Sequence, residues 1–299
     1  MSATAPTSPS SRSGPVEPAG PPDSPDATTT AAAAVEVRGV SRRFASRSGD
    51  VVALSDVDLT VRAGEFVSLI GPSGCGKSTL LRLIADLDRP TGGELTVFGR
   101  PPHVARQNHD FGIAFQQAGL LPWRSVRANV ELPLELHGTG RAARRARATE
   151  LLGLVGLADF ADHRPDQLSG GMQQRVAIAR ALAESPSLLL MDEPFGALDE
   201  MTREHVQTEL LRLRAESGAA VVFVTHSIPE AVYLSDRVVV MSARPGQVRE
   251  IVPVALGSAG DRTDGLREDD QFFDRVRAVR EALHGTDGAT GVGRGVDQR

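Results

Sequence analysis

The 299-residue sequence predicts an α/β fold with a parallel sheet at its core, an N-terminal antiparallel β subdomain and a small α-helical subdomain. Two continuous apolar runs, Leu188 to Met191 and Val221 to Val224, are typical of central parallel strands that are covered on both faces. Strand-like and helical segments alternate on either side of a mainly helical stretch, from about Ser125 to Ser169. This order indicates one α/β core that is interrupted by a helical insert.

The other predicted strands are shown by alternating or continuous apolar residues. Val35 opens the first strand, and Val51 to Val61 alternates as a half-buried strand does. Phe66 to Ile70 is a short apolar run between two glycines, which is typical of a buried strand. Val238 to Met241 predicts a further strand near the end of the core.

Two further helices are predicted from apolar residues at helical spacing. The first follows the Phe66 to Ile70 strand and continues to Pro90, with its apolar face at Leu80, Leu81, Ile84 and Leu87. The second spans about 268–284, and its apolar face consists of Phe272, Val276, Val279 and Leu283. We expect this second helix to dock onto the core.

Composition divides the chain into three parts. Residues 1–34 are rich in Ser, Thr, Ala and Pro and have few large apolar side chains, so we expect them to be disordered. Residues 35–255 form the main domain, with the helical subdomain at about 120–180, and residues 256–299 form a C-terminal tail that carries the 268–284 helix. The Gly-rich end after His284 is expected to be loose.

Several classes of protein are excluded by composition. The only cysteine is Cys75, so neither an intrachain disulfide nor a four-thiolate zinc site can form. The net charge of −5 argues against a general nucleic-acid binder, whose surface would be basic. No apolar run is long enough to cross a bilayer, so the chain does not span a membrane by itself.

A glycine-rich segment, Gly71 to Ser78, joins the Phe66 to Ile70 strand to the helix that follows it. It fits the phosphate-loop pattern, in which glycines turn backbone N–H groups toward phosphate oxygens at a helix N-terminus. Lys77 is the only lysine among the 33 lysines and arginines of the chain, and it supplies a compact cation for the β- and γ-phosphates. Ser78 offers a hydroxyl to Mg²⁺. The simpler alternative is a strand-to-helix turn without a ligand.

The residues assigned to nucleotide binding in this segment share the loop or the first turn of the helix. They are Gly71, Ser73, Gly74, Cys75, Gly76, Lys77, Ser78 and Thr79.

Two adjacent carboxylates, Asp192 and Glu193, follow the Leu188 to Met191 strand. Carboxylates at the end of an apolar strand are costly unless they face a cation or ordered water. Asp192 is therefore a candidate metal ligand, and Glu193 is a candidate for the group that polarises the attacking water. Taken alone, the pair could be an ordinary turn.

A second helix start, Leu168 to Arg175, contains adjacent glycines. Ser169 is a candidate N-cap, and Gly170 and Gly171 leave the backbone donors of the first turn accessible to an anion. Without further context, the glycines could equally serve close packing.

Leu168 to Arg175 resembles the signature motif of the ATP-binding subunits of ATP-binding-cassette transporters, and the order of elements matches that family over roughly 35–255. The resemblance implies that Gln116 contacts Mg²⁺ and the attacking water, and that His226 senses the γ-phosphate. It also places Asp199 in the D-loop and Phe44 against adenine, where tyrosine is commoner. Viewed singly, these four residues could be surface or core residues.

The same resemblance implies an ATP hydrolase in which Lys77, Gln116, Glu193 and His226 are catalytic and Ser78, Gln116 and Asp192 hold Mg²⁺. The signature of one copy would close over the ATP held by a second copy. Separate integral-membrane permease subunits, docked near Trp123, would hold the chain at the cytoplasmic face of the membrane, and an extracytoplasmic solute-binding protein would act through the complex. No nucleic-acid partner is expected.

Within the family, the segment around Trp123 and the residues after His226 look most like subunits of the nitrate, sulfonate, taurine and bicarbonate importers. Aliphatic sulfonates are the favoured solute, and nitrate, taurine and bicarbonate remain alternatives. A non-transport cassette or a soluble P-loop kinase is the competing class.

Overall fold

The computed structural model describes residues 32–45, 49–257, 262 and 264–285. Most of the N-terminal segment that is predicted to be disordered (1–31) lies outside the described residues, as does the end after Gly285. The division into a main domain and a tail therefore stays a prediction at both termini.

Six strands form the central sheet in the order β5-β6-β7-β3-β8-β9. Neighbouring strands are parallel from β5 to β8, and only β9 pairs antiparallel, with β8. This confirms the predicted α/β core. The strands are β3 (Phe66–Ile70), β5 (Phe111–Ala114), β6 (Leu188–Asp192), β7 (Ala220–Val224), β8 (Arg237–Met241) and β9 (Val248–Pro253).

A second, antiparallel sheet has the order β2-β1-β4 and is the predicted N-terminal β subdomain. Its strands are β1 (Ala33–Phe44), β2 (Val51–Arg62) and β4 (Gly92–Val97). Sequence analysis missed β4 because its first three residues are exposed, which leaves too short an apolar pattern to predict a strand.

Helix α1 (Lys77–Ile84) lies between the two sheets. Alternate residues of the central strands point to opposite faces, as they must in a pleated sheet. Phe66 and Ile70 of β3 belong to the core beneath the helices, whereas Val67 and Leu69 pack with α1 and the small sheet. The phosphate-loop helix is thereby buried between two apolar layers.

The predicted extent of α1 is wrong at its C-terminal end. Leu87 was expected on the buried face, but the helix stops at Ile84 and Leu87 is 47% exposed. The chain leaves the helix through Asp86, whose φ of 54° is in the left-handed region, so the helical spacing no longer applies beyond it.

Helix α2 (Pro102–Gln107) packs against β4 of the small sheet, and its Ala105 joins the core around α1. The remaining helices cover the other face of the central sheet or its edges. They are α3 (Val126–Leu136), α4 (Arg141–Leu154), α5 (Gly170–Ala181), α6 (Glu200–Ser217), α7 (Ile228–Leu234) and α8 (Asp270–His284). Helices α3, α4 and α5 pack on one another as the predicted helical subdomain.

A run of four arginines on α4 faces solvent only in part. Arg144 pairs with Glu131 of α3 at 3.3 Å, and Arg147 donates to the carbonyl oxygens of Leu182 and Ala183. These two arginines therefore fasten α4 to its neighbours, while Arg141 and Arg145 are exposed.

Helix α8 packs against α7 and β8 as a docked element of the core. Its N-cap is Asp269, whose carboxylate accepts from the backbone N–H of Gln271 at 2.8 Å. Phe272, Val276 and Val279 are buried as expected. Within the described ranges, no helix is both long and apolar enough to cross a bilayer.

Candidate functional site

The phosphate loop owes its path to close backbone contacts. Gly76 has a φ of 102°, and a Cβ there would lie 2.9 Å from the carbonyl oxygen of Ala53 and closer still to Leu54. A Cβ on Gly71 would lie 2.7 Å from the carbonyl oxygen of Met241. Only glycine fits at these positions, so the loop is held closely against β2 and the end of β8, in a form that can present backbone N–H groups to an anion.

Lys77 is buried at the first position of α1. Its Nζ donates to the carbonyl oxygens of Gly71 and Pro72, at 2.8 and 3.1 Å, and lies 3.7 Å from the Sγ of Cys75. The ammonium thus folds back over the loop, where a phosphate held by the loop would meet it.

Ser78 and Asp192 are 114 residues apart but in direct contact, because the Ser78 hydroxyl donates to Asp192 Oδ1 at 2.9 Å. Burial raises the pKa of Asp192, and the neighbouring charge of Glu193 raises it further, while the Ser78 hydrogen bond opposes the change. A hydroxyl and a partly desolvated carboxylate side by side form an oxygen donor set suited to Mg²⁺.

Glu193 is bracketed by the two polar residues that the family resemblance singled out. Its Oε2 accepts from Gln116 Nε2 at 3.2 Å and lies 3.4 Å from His226 Nδ1. Glu193 also has a φ of 47°, an uncommon conformation that is held by its N–H bond to the carbonyl oxygen of Val224 at 2.9 Å. The carboxylate is thereby turned out of β6 toward the phosphate loop.

His226 is presented by the turn between β7 and α7. Ser227 caps α7 by accepting from the N–H of Glu230, and the Thr225 hydroxyl donates to the Glu230 carboxylate at 2.6 Å. Burial raises the pKa of Glu230, while the Thr225 bond opposes it. The backbone around His226 is fixed in this way, yet the imidazole itself is 71% exposed.

Lys77, Ser78, Gln116, Glu193 and His226 line one cleft of about 370 Å³, whereas the predicted site residues Gly71, Cys75 and Asp192 do not line it. Phe44 stands at its edge with the Arg42 guanidinium 4.4 Å from the ring centroid. Of the predicted site residues, the cleft is lined by Phe44, Ser73, Gly74, Gly76, Lys77, Ser78, Thr79, Gln116, Glu193 and His226.

The signature residues do not line this cleft. Ser169 caps α5 by accepting from the N–H of Met172 at 3.3 Å, as predicted for an N-cap, but Ser169 and Gly170 are exposed to solvent. Asp199 caps α6 in the same manner through Thr202, and this hydrogen bond lowers the pKa of the Asp199 carboxyl. The N-terminus of α5, which begins after Ser169, is therefore a second polar feature that lies outside the cleft.

The two signature glycines differ in what surrounds them. A Cβ on Gly171 would lie 2.7 Å from the carbonyl oxygen of Ala197, so this glycine is needed for packing against the segment before Asp199. A Cβ on Gly170 would meet nothing within 4 Å. Nothing within the described part of the chain requires a glycine at position 170.

Helix α5 is also connected to the segment that carries Gln116. Gln174, which is buried, donates to the carbonyl oxygen of Phe115 at 2.8 Å. Arg180 donates to the carbonyl oxygens of Ala118 and Gly119, at 2.7 and 2.8 Å. Movement of this helix would therefore displace the Gln116 side of the cleft.

Trp123 lies beyond that segment, on a loop that is rigidly held while its side chain is 68% exposed. The buried amide of Asn129 accepts from the N–H of Leu121 at 2.7 Å and donates to the carbonyl oxygen of Leu121 at 3.1 Å. Arg164 donates to the carbonyl oxygen of Trp123 at 2.7 Å. A fixed loop that presents a large exposed indole is suited to bind another protein.

Sequence analysis missed Arg244, which lines the cleft and donates to the carbonyl oxygen of Gly74 at 3.2 Å. It also missed Val51 and Ala53, which line the cleft from β2. No local pattern could have found these residues, because pairing of the 242–247 segment with β2 brings them to the loop.

Comparison with known proteins places this geometry in a family. The ABC transporter family matches residues 54–196. A taurine import ATP-binding protein of Burkholderia pseudomallei is 51% identical over 82% of this chain and 94% of that protein. A nitrate import ATP-binding protein of Synechocystis is 41% identical over 84% of this chain and 95% of that protein.

Among solved structures, a dimeric ATP-binding cassette in a post-hydrolysis state with ADP and Pi is similar, with a TM-score of 0.69 and 39% identity. The match covers 74% of this chain and 98% of that one. Given the extent of these matches, the chain belongs to the ATP-binding subunits of ABC transporters, as its motifs predicted.

Proposed function

We propose that the chain is the ATP-hydrolysing subunit of an importer and that it couples ATP binding and hydrolysis to the uptake of a small sulfonate. The observation that carries the ATPase mechanism is the convergence of three features on one cleft: Lys77, Ser78 with Asp192 bonded behind it, and Glu193 between Gln116 and His226.

The phosphate loop binds the triphosphate. The N–H groups of Gly74, Gly76 and the first turn of α1 face the phosphate oxygens, and Lys77 places its charge near the β- and γ-phosphates. Lys77 Nζ exchanges its bonds to the carbonyl oxygens of Gly71 and Pro72 for phosphate oxygens. Phe44 stacks on the adenine, through the ring face that Arg42 leaves free.

The residues around Asp192 fit Mg²⁺. Ser78 and Asp192 would supply a hydroxyl and a carboxylate that already touch, and because burial raises the pKa of Asp192, a cation beside it would stabilise its charged form. Gln116 would supply a third oxygen from the facing segment. When bound, Mg²⁺ neutralises charge on the β- and γ-phosphates.

Glu193 orients the attacking water by accepting one of its protons, since among the described residues no arginine or lysine is in ion-pair contact with its carboxylate. Gln116 and His226 hold that carboxylate in place from two sides. The exposed His226 imidazole donates to the γ-phosphate as the charge develops.

Two copies complete each site. The exposed Ser169 and Gly170 of one copy close over the ATP held by Lys77 of the other, because this helix start is not part of the cleft in its own chain. No described residue lies close enough to Gly170 to require a glycine there, which supports this assignment, because a side chain would obstruct only an external ligand. Asp199 lies beside the same interface.

The rigid loop with Trp123 binds the permease, and through the permease the chain is held at the cytoplasmic face of the membrane. The solute is assigned from relatives alone. Taurine is itself an aliphatic sulfonate, so the 51% identical taurine importer subunit supports this class. The nitrate importer subunit, at 41% identity, supports nitrate as the second candidate.

Replacement of the water-orienting carboxylate tests the ATPase mechanism. We expect Glu193→Gln to bind ATP with unchanged affinity and to hydrolyse it roughly 10²- to 10⁴-fold more slowly, because the amide cannot accept a proton. Phosphate release and equilibrium dialysis with ATP measure the two quantities. Glu94→Gln, an exposed change on β4, is the control. Turnover at the wild-type rate in Glu193→Gln would remove Glu193 from the mechanism.

The proposal that two copies share each ATP site is tested by placing a negative charge at Gly170. Gly170→Asp should fold normally, since an acidic residue is favourable in the first turn of a helix, but it should prevent ATP-dependent dimerisation by opposing the phosphates. Gly140→Asp adds the same carboxylate to an unobstructed glycine at the start of α4. Light scattering of both variants with ATP, in the Glu193→Gln background, measures the dimer. A normal Gly170→Asp dimer contradicts the shared site.

Docking of the permease is tested by truncating the exposed indole. Trp123→Ala should lower permease association and transport at least ~10-fold, while basal ATPase activity is retained and stability changes by less than about 0.5 kcal/mol. Phe273→Ala, which truncates another exposed aromatic residue on α8, is the control. Co-purification from detergent-solubilised membranes and uptake assays give the readout. Intact association and transport in Trp123→Ala would refute the assignment.

The solute is tested by uptake in cells that lack the gene. We expect uptake of labelled taurine and alkanesulfonates to be lost and to return with the wild-type gene but not with Glu193→Gln. Loss of nitrate uptake with sulfonate uptake intact would instead identify nitrate as the solute.

A further inference from the structure

A cluster of two histidines and one glutamate lies at the sheet edge opposite the nucleotide cleft. His109 precedes β5 and Glu184 precedes β6, whereas Gln116 and Glu193 follow the same two strands. Because β5 and β6 are parallel, their amino ends meet at the edge that faces away from the cleft. The third member, His137, is the C-cap of α3.

The donor atoms of His109, His137 and Glu184 all lie within 4.8 Å of one another. The two imidazole rings are in contact with their planes tilted by 34°, and His137 Nδ1 contacts Glu184 Oε1. Among the described residues, this is the one group of three or more His, Cys, Asp or Glu side chains that converges so closely.

Separate hydrogen bonds fix the backbone that presents each ligand. The N–H of His109 donates to the carbonyl oxygen of Arg106, and that of His137 donates to the carbonyl oxygen of Pro133. On the third segment, Arg147 donates to the carbonyl oxygen of Ala183 and to Ser185 Oγ, on either side of Glu184. The three side chains are thus brought together by rigid segments rather than by a flexible loop.

The surroundings favour a cation that enters from solvent. The side chains of His137 and Glu184 are each 23% exposed, and His109 is an exposed residue, so an ion can reach all three from solvent. Within the described ranges, Glu184 has no arginine or lysine in ion-pair contact, and its charge faces the two imidazoles. Two neutral imidazoles and one carboxylate form a donor set that zinc prefers, and water can complete a tetrahedral shell.

We propose that His109, His137 and Glu184 bind one Zn²⁺ ion. The ion links α3 of the helical subdomain to the loops that precede β5 and β6, three segments that are otherwise far apart in sequence. Rotation of the side chains adjusts the donors to zinc distance, because the donor atoms lie within 4.8 Å of one another. The site is separate from ATP hydrolysis and does not depend on it.

The test uses the full-length chain, stripped with EDTA and desalted, and titrated calorimetrically with ZnCl₂. We expect one ion per chain and binding at least ~10-fold weaker in each of His109→Gln, His137→Gln and Glu184→Gln. His103→Gln, on the neighbouring helix α2, changes an exposed histidine outside the cluster and should bind zinc like the wild type.

One spectroscopic and one thermal measurement test whether the ion binds at this cluster. Co²⁺ should give the visible absorption of a tetrahedral site in the wild type and in His103→Gln but not in His137→Gln. Zinc should raise the unfolding temperature of the first two proteins only, because an ion bound to the folded state stabilises it. Circular dichroism without metal confirms that each variant is folded.

The proposal is overturned if the wild-type chain does not bind zinc, or if all three cluster variants bind it as the wild type does. Identical Co²⁺ spectra in the wild type and His137→Gln would place the metal elsewhere, which also overturns it. ATPase activity is not part of the readout, so failure of this proposal leaves the proposed function untouched.

Discussion

The site depends on one constraint: the backbone of the phosphate loop touches the backbone of its neighbours with no space for side chains. Gly76 lies against Ala53, Gly71 lies against Met241, and a Cβ on Gly246 would lie 1.9 Å from the carbonyl oxygen of Cys75. These contacts involve peptide groups from β2, from the end of β8 and from the segment after it. Backbone contacts of this kind keep the loop in one conformation whether or not a phosphate is bound, so its N–H groups stay preorganised for phosphate.

From that fixed loop, the rest of the cleft follows from the order of the strands. β3 carries the loop, and its neighbour β7 leads to His226. β6 lies next to β7 and ends at Asp192, and β5 beside it leads to Gln116. Since the carboxyl ends of parallel strands meet at one edge, residues that are far apart in sequence come within hydrogen-bond distance there. The strain at Glu193 (φ 47°) is the cost of turning its carboxylate toward this edge.

Hydrogen bonds connect the cleft to the two surfaces at which we propose partners, which are the N-terminus of α5 and the loop that carries Trp123. Gln174 and Arg180 connect α5, which begins at the signature residues, to the segment of Gln116. The same stretch of chain continues to the loop of Trp123, which Asn129 holds. A displacement of α5 by a second copy would therefore act on both the Gln116 amide and the exposed indole. This continuity is a physical route for coupling hydrolysis to a membrane partner.

The sequence by itself determined the central strands, the loop and the helix starts, because these depend on neighbours in the chain. Phe66–Ile70 is fully buried as its apolar run predicts, and Ser169 caps α5 as its residue type predicts. The ends of helices and the edge strands of sheets were not determined by the local sequence: Leu87 lies outside the helix that was predicted to contain it, and strand β4 was not predicted. Only tertiary structure could place Arg244 at the loop or bring His109 to His137 and Glu184, because strand pairing and helix packing set contacts that no spacing encodes.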